Sequence, residues 1–274
     1  MSQGPRIYGN DPAVREDWAR RFRTVDWTLL PNPPLAPQYQ VAMDETLTLS
    51  TGSGQRGANI RFWNWSGPCV VLGRFQSVRN EVYEDVAAEQ NVELVRRISG
   101  GGAMLIEPEG AITYSIVAPE SLVKGMSFAE SYEFFDSWII DSLRDLGVDA
   151  WYVPLNDITS SGGKIGGAAQ ARRTGAVLHH TTMAYSMTPG KLVQILRIGK
   201  EKLSDKGITS ADKRVGPLQG QTDLPRDEII QRLVDHFRTS FGLQDGTFTD
   251  EELLDVRYRV DNKFSTKEWI YFLP

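Results

Sequence analysis

The stretch Arg96-Arg97-Ile98-Ser99-Gly100-Gly101-Gly102-Ala103-Met104 constrains this chain more than any other. An apolar run at 92–95 reads as a strand, two arginines end it, and three glycines follow. Glycine accepts positive φ and lets backbone approach a ligand closely. Successive N–H groups in such a loop cradle an anion. An arginine at the lip offers a planar fork to a phosphate or carboxylate. The segment suits a small anionic ligand; a glycine turn beside two solvated arginines is the other reading of the same residues.

Composition narrows the classes. The length, 274 residues, suits one large domain with or without appendages. The net charge of −5 weighs against a nucleic-acid partner, whose affinity leans on neutralised phosphates. Cys69 is the only cysteine, which excludes an internal disulfide and a cysteine-rich metal site. No apolar run reaches membrane-spanning length, and residues 1–23 lack an apolar signal core. The expectation is a cytoplasmic protein with no membrane partner.

Residues 1–37 read as a peripheral extension ending in a proline-rich linker, and 38–274 as one large domain. A helix is predicted at 41–49, carrying Asp44 and Glu45. Strands at 60–65 and 69–72 are joined by a Ser66-Gly67-Pro68 turn. A polar helix at 80–90 precedes the glycine segment, and a strand at 111–117 follows it. Ser127 and Glu130 fit a capping box for a helix at 127–146, with Phe128, Tyr132, Phe135, Ile139 and Leu143 on one face. Strands at 150–155, 164–172 and 176–186 follow, the last two forming a hairpin around Arg173-Thr174-Gly175. A helix at 225–241 stops at Gly242. Hairpins mixed with helices predict an α+β fold with a mixed or antiparallel sheet flanked by helices.

Further segments carry candidate chemistry. Asn156-Asp157 precedes Gly162-Gly163-Lys164-Ile165-Gly166-Gly167-Ala168-Ala169-Gln170, where a lysine between glycines is open to a ligand or simply solvated on a hairpin. In Leu178-His179-His180-Thr181-Thr182-Met183, adjacent strand histidines point to opposite faces, so one enters a pocket or both pack. Leu72-Gly73-Arg74-Phe75-Gln76 and the charged loop at 202–210 complete the set.

Together these segments resemble the lipoate–protein ligase A family. The glycine segment is similar to its Arg-Arg-x-Ser-Gly-Gly-Gly-Ala motif, and Gly163 to Gln170 to its Gly-Lys-Ile-Ser-Gly-Ser-Ala motif. Asn156-Asp157 resembles its Asn-Asp pair, and Lys206-Gly207-Ile208-Thr209-Ser210 its loop near the adenylate. Ser265-Thr266-Lys267-Glu268-Trp269 resembles the Ser-x-x-Glu-Trp element ending its large domain. The likeness runs from residue 38 to 269 in matching order.

The resemblance implies the fold shared by biotin ligases and class II aminoacyl-tRNA synthetases. It implies activation of lipoate or octanoate by ATP to acyl-AMP, with Mg²⁺. The acyl group then goes to a lysine of a lipoyl domain, in a 2-oxoacid dehydrogenase complex or the glycine cleavage H protein. Carried over by match, Lys164 is the catalytic cation. Arg97, Ser99, Gly101, Gly102, Ala103, Met104, Leu105, Asn156, Asp157, Gly166, Ala168 and His180 bind ATP or lipoyl-AMP, with Asp157 at Mg²⁺. The chemistry agrees: a carboxylate attacking an α-phosphate joins two anions, and a lysine between them lowers the repulsion. Phe62, Trp63, Val71 and Phe75 are candidate walls for the acyl tail.

The chain departs from the pattern in places. Leu105-Ile106-Glu107 stands where the family has Phe-His-Asp, and Thr181 where it has Gly. The family's smaller accessory domain follows the Glu-Trp element, whereas this sequence ends at Pro274; the expectation is that the accessory domain is absent or supplied by a separate accessory protein. The related octanoyl or lipoyl transferases, which work without ATP through a cysteine nucleophile, are the alternative enzyme. Cys69 is far in sequence from 156–164. A lipoyl-adenylate binder without full ligase activity is the non-enzymatic alternative.

Overall fold

The structure is a computed structural model and describes residues 7–186, 189–197 and 215–273. Asp11 caps α1 (Pro12–Phe22) by accepting from the Ala13 N–H, and β1 (Thr28–Leu29) leads to α2 (Pro37–Gly52). Then come β2 (Asn59–Trp63), β3 (Cys69–Leu72), α3 (Val78–Glu81), α4 (Glu84–Glu89), β4 (Glu93–Arg96), β5 (Met104–Ile106) and β6 (Ala111–Pro119). Ser127 caps α5 (Phe128–Asp145), accepting from the Glu130 N–H at 3.1 Å. There follow β7 (Ala150–Val153), β8 (Asp157–Ser160), β9 (Gly163–Arg173), β10 (Ala176–Ala184) and α6 (Pro189–Ile195). The chain continues with α7 (Arg226–Phe241), β11 (Gln244–Asp245), α8 (Asp250–Arg259), a π turn (Val260–Phe264) and α9 (Lys267–Ile270).

Among the described residues the strands form a large sheet, β11-β1-β2-β6-β10-β9-β8-β7, and a small one, β4-β3-β5. The large sheet is antiparallel from β2 to β7 and parallel at β1, so the fold is mixed α+β as predicted. The β9–β10 hairpin closes at Thr174 (φ 50°) and Gly175 (φ 86°), the two positive φ values a tight twisted hairpin needs.

Helices α1, α5 and α7 cover one face of the large sheet over Trp18, Phe22, Phe135, Trp138 and Phe237. Helices α2 and α8 and the small sheet cover the other, over Leu47, Trp63, Val71, Leu178 and Val256. A third cluster, with Val70, Leu72, Val78 and Ile195, fills the outer side of the small sheet.

Three expectations are corrected. The extension is not peripheral: Trp18, Phe22 and Trp27 are buried in the first core cluster. Trp18 and Phe22 lie four residues apart on one stripe of a charged helix, which hides them from a composition reading. The strands joined at Ser66-Gly67-Pro68 form as expected, and they go to different sheets, β2 to the large one and β3 to the small one. The helix at 80–90 breaks at Val82, which is extended (φ −129°) and bridges to Leu196. In α5, Phe135, Ile139 and Leu143 are buried as expected, but Phe128 is exposed under the Arg172 guanidinium.

Candidate active site

The glycine segment links β4 to β5 and folds back over the second face of the large sheet. Gly73, at the end of β3, lies so close that a Cβ there would sit 2.0 Å from the Gly101 carbonyl oxygen. Gly101 has φ +89°, and its Cβ would meet Arg97 Nη2 at 2.9 Å and the Ala169 methyl at 3.8 Å. Around Gly100 and Gly102 a Cβ would meet no atom within 4 Å, and Gly101 and Gly102 are exposed. Packing therefore demands glycine at 73 and 101, while 100 and 102 border open space.

Arg97, expected at the lip with its fork free, is buried instead. Its Nε donates to Ser99 Oγ at 3.0 Å, Nη1 to the Val71 carbonyl at 3.1 Å, and Nη2 to those of Gly100 at 2.5 Å and Gly102 at 3.0 Å. The loop turns carbonyls inward, and buried carbonyls need donors. Burial pulls Arg97 down to about 10, which leaves it charged at neutral pH. Arg96 is also buried and gathers the carbonyls of Gly73 (2.8 Å), Gln76 (2.6 Å) and Ile270 (2.5 Å). Trp269 Nε1 donates to the Arg96 carbonyl at 2.9 Å, so the Ser-x-x-Glu-Trp segment braces the glycine segment.

Lys164 stands near the start of β9. A bulge against β8 pairs Asp157 with Gly167 but Thr159 with Lys164, leaving one extra residue on β9. The bulge turns Lys164 beside Gly167, where a Cβ would meet the ammonium at 3.5 Å and Asp157 Oδ1 at 3.6 Å. Lys164 Nζ pairs with Asp157 Oδ1 at 2.8 Å; the lysine side chain is 25% exposed and the aspartate 8%. The Gly216 N–H holds the Lys164 carbonyl at 2.9 Å. Gly167 and Ala169, two residues apart on β9, span about 7 Å at strand rise, so the ammonium and Gly101 border one small-residue strip.

The other predicted residues take varied places. Asn156 exchanges hydrogen bonds with the backbone of Ala168, Nδ2 to its carbonyl at 2.6 Å and the Ala168 N–H to the Asn156 carbonyl at 2.9 Å. Gly166 does not face this strip: its Cβ would strike the Thr182 carbonyl oxygen at 2.6 Å, so it serves the β9–β10 contact, and Gly167 is the glycine beside the lysine. Leu105 is buried in the third core cluster, while Ala103 and Met104 are half-buried and pack against the third and second clusters. Glu107, in the departed motif, pairs with Lys191 at 2.7 Å. The loop at 206–210 lies outside the described residues.

The histidines point to opposite faces as expected. His179 is structural, held under α5 by Asp136 at 2.9 Å. His180 faces the glycine segment: Nε2 lies 2.6 Å from Ser99 Oγ and Nδ1 2.8 Å from Asp44 Oδ2. Asp44 Oδ1 accepts from Arg61 at 2.7 Å and Ser115 at 2.8 Å. Sequence reading missed Asp44 as a site neighbour. Its signal was an acidic residue inside the apolar run Val41-Ala42-Met43 of α2, buried with Leu47.

Of the four candidate walls, only Phe62 and Trp63 border a common cavity. Phe62 joins the first core, Trp63 and Val71 the second, and Phe75 is 72% exposed. The cavity, of about 420 Å³ between Leu29, Phe62, Asn64 and Arg226, includes neither Lys164 nor the glycine segment. Cys69 is buried at the end of β3 opposite Gly73, and burial pushes its thiol well above the ordinary range. No cluster of three metal-ligating side chains occurs among the described residues. Asp157 alone fits the mode in which Mg²⁺ takes one carboxylate and mostly substrate phosphates. No helix is long and apolar enough to cross a membrane among the described residues.

The chain is 26% identical to the octanoyltransferase LipM of Halalkalibacterium halodurans, over 89% of this chain and 98% of that one. Its fold matches a chain from the structural analysis of the bi-partite lipoate protein ligase and its E2 lipoyl domain from Thermoplasma acidophilum, at TM-score 0.77 and 28% identity, covering 91% and 98%. It matches a lipoate-protein ligase A bound with ATP at TM-score 0.77 and 26% identity, covering 91% and 100%. The family model described as "Lipoyl protein ligase A/B catalytic domain" matches residues 36–238, and the chain belongs to that family.

Proposed function

We propose that the chain is a lipoate–protein ligase: it joins lipoate or octanoate to ATP as acyl-AMP and passes the acyl group to a lysine of a lipoyl domain. One observation carries the reading. The Lys164–Asp157 pair lies on a strip bordered by the glycine segment, while the only thiol is sealed in β3. In the first step a carboxylate oxygen attacks the α-phosphorus and the bond to the β-phosphate breaks, releasing pyrophosphate. Lys164 stands to bridge the two anions and steady the charge that develops between them. Asp157 orients the ammonium, and the open backbone at Gly100 and Gly102 suits phosphate oxygens. Mg²⁺ held by Asp157 and the phosphates would neutralise charge on the leaving group. In the second step the acceptor's amine attacks the acyl carbonyl and AMP leaves.

Likeness to a bi-partite ligase supports a second polypeptide working with this chain and a lipoyl domain as acceptor. Likeness to LipM supports the other reading, transfer of octanoate between carrier proteins. That route calls for a thiolate, which the buried, raised thiol of Cys69 suits poorly. The test incubates the chain and a lipoyl domain with ATP, Mg²⁺ and lipoate, or with octanoyl carrier protein alone, and weighs the products. Ligase activity gives acyl-AMP and acylated domain only with ATP, and Cys69→Ser retains it. Acylation without ATP through a thioester on Cys69 would establish the transferase.

A further inference from the structure

The candidate site is tied to the second core by one line of polar groups. Asp44 on α2 receives His180 on β10, His180 receives Ser99, and Ser99 receives Arg97, at 2.8, 2.6 and 3.0 Å. Asp44, His180, Ser99 and Arg97 are all buried. Protonation fixes the direction of each bond. Burial pushes Asp44 up, but Arg61 and His180 more than offset it, so it is an anion below the usual carboxylate range. Burial holds His180 below the usual histidine range; Asp44 opposes this, and Arg97 and His179 reinforce it. Neutral His180 therefore keeps its hydrogen on Nδ1, toward the carboxylate. Its Nε2 accepts the Ser99 hydroxyl hydrogen, which leaves a Ser99 lone pair for Arg97 Nε–H. Arg97 in turn grips the carbonyls of Gly100 and Gly102.

We propose that Asp44 is a positioning residue which, acting through His180 and Ser99, sets the direction of this relay and holds the glycine loop in its ligand-receiving shape. The proposal rests on the reading that this loop receives the acyl-adenylate. The relay has a defined failure. A proton on His180 Nε2 would face Ser99, strip the hydroxyl hydrogen of its acceptor, and set an imidazolium against Arg97. The charged groups around His180 are Asp44, Arg61 and Arg97, with neighbouring His179. A depressed histidine favours the loop's ligand-receiving shape at high pH. The hold is complete above the ordinary histidine value near 6.5 and is lost as pH falls through the lower value His180 has when the relay is formed.

Hydrogen exchange over residues 96–105 of the full chain, between pH 8 and 5 and corrected for intrinsic rates, reads this directly. The wild type should be protected at pH 8 and loosen toward pH 5. His180→Phe and Ser99→Ala should exchange about tenfold faster at pH 8, the size of one lost buried hydrogen bond, and show little pH dependence. His180→Gln is the decisive variant. Its amide gives a hydrogen to Asp44, accepts one from Ser99 and does not titrate, so the loop should stay protected at both ends of the range. Asp44→Asn should loosen the loop; if it fails to fold, the His180 and Ser99 variants carry the test. A loop equally protected in wild type and His180→Phe, or as loose in His180→Gln as in His180→Phe, overturns the proposal. Calorimetry with a non-hydrolysable lipoyl-adenylate should show about tenfold weaker binding to His180→Phe. A wild type that keeps the exchange pattern but ignores this probe overturns the ligand assignment and leaves the relay's hold on the loop standing.

Discussion

At the residue scale, the proposed site divides into groups assigned to face a ligand and groups that hold them. Lys164 is of the first kind. Lys164→Ala should cost on the order of 3 kcal/mol in transition-state stabilisation, a loss of about a hundredfold in kcat/KM. Acyl transfer measured from ATP with lipoate, and again from synthetic lipoyl-AMP, checks this; near wild-type rates in both would remove Lys164 from the chemistry. Its candidacy rests on the glycines that flank it and on a motif match. The roles of Arg97 and Asp44 were not legible in sequence. Whether an arginine beside glycines points out or in depends on where the loop carbonyls turn, which no residue type specifies. The Asp44–His180 contact joins residues 136 positions apart, beyond any local pattern.

At the scale of elements, the glycine loop takes its shape where two backbones touch. Gly73→Ala would drive a methyl into the Gly101 carbonyl and part β3 from the loop. Gly101→Val adds a β-branched side chain at φ +89°, a region such residues avoid. Both should weaken lipoyl-AMP binding by tenfold or more. Gly102→Ala meets no atom within 4 Å and should leave the melting temperature within a few degrees of wild type. Calorimetric titration beside thermal unfolding separates the two effects. Elements with local signals, the β9–β10 hairpin and the capped α5, were legible in sequence. The assignment of β2 and β3 to different sheets was not: Ser66-Gly67-Pro68 marks a turn but does not say whether the strand beyond it pairs back. The bulge that aims Lys164 was hidden for the same reason, since it exists only in the register between two strands.

For the whole molecule, the mixed α+β architecture followed from hairpins interleaved with amphipathic helices, but its extent did not. Helix α1 is as much part of the first core as α5 is, through Trp18 stacked edge-on to Phe134 and Phe22 against Trp27. Trp18→Ala should cost about 3–5 kcal/mol of stability, seen as a lower denaturant midpoint with unchanged slope. A midpoint within experimental error of wild type would return α1 to an appendage.

The sealing of Cys69 in β3 has a practical side as well. A chain whose one native sulfhydryl is shielded from solvent is already prepared for site-directed spectroscopy. A cysteine introduced by Phe75→Cys, at a position 72% exposed beside the glycine loop, becomes the one accessible point for a maleimide dye. The approach of an acceptor protein to that loop can then be followed by fluorescence in real time, in the otherwise native sequence.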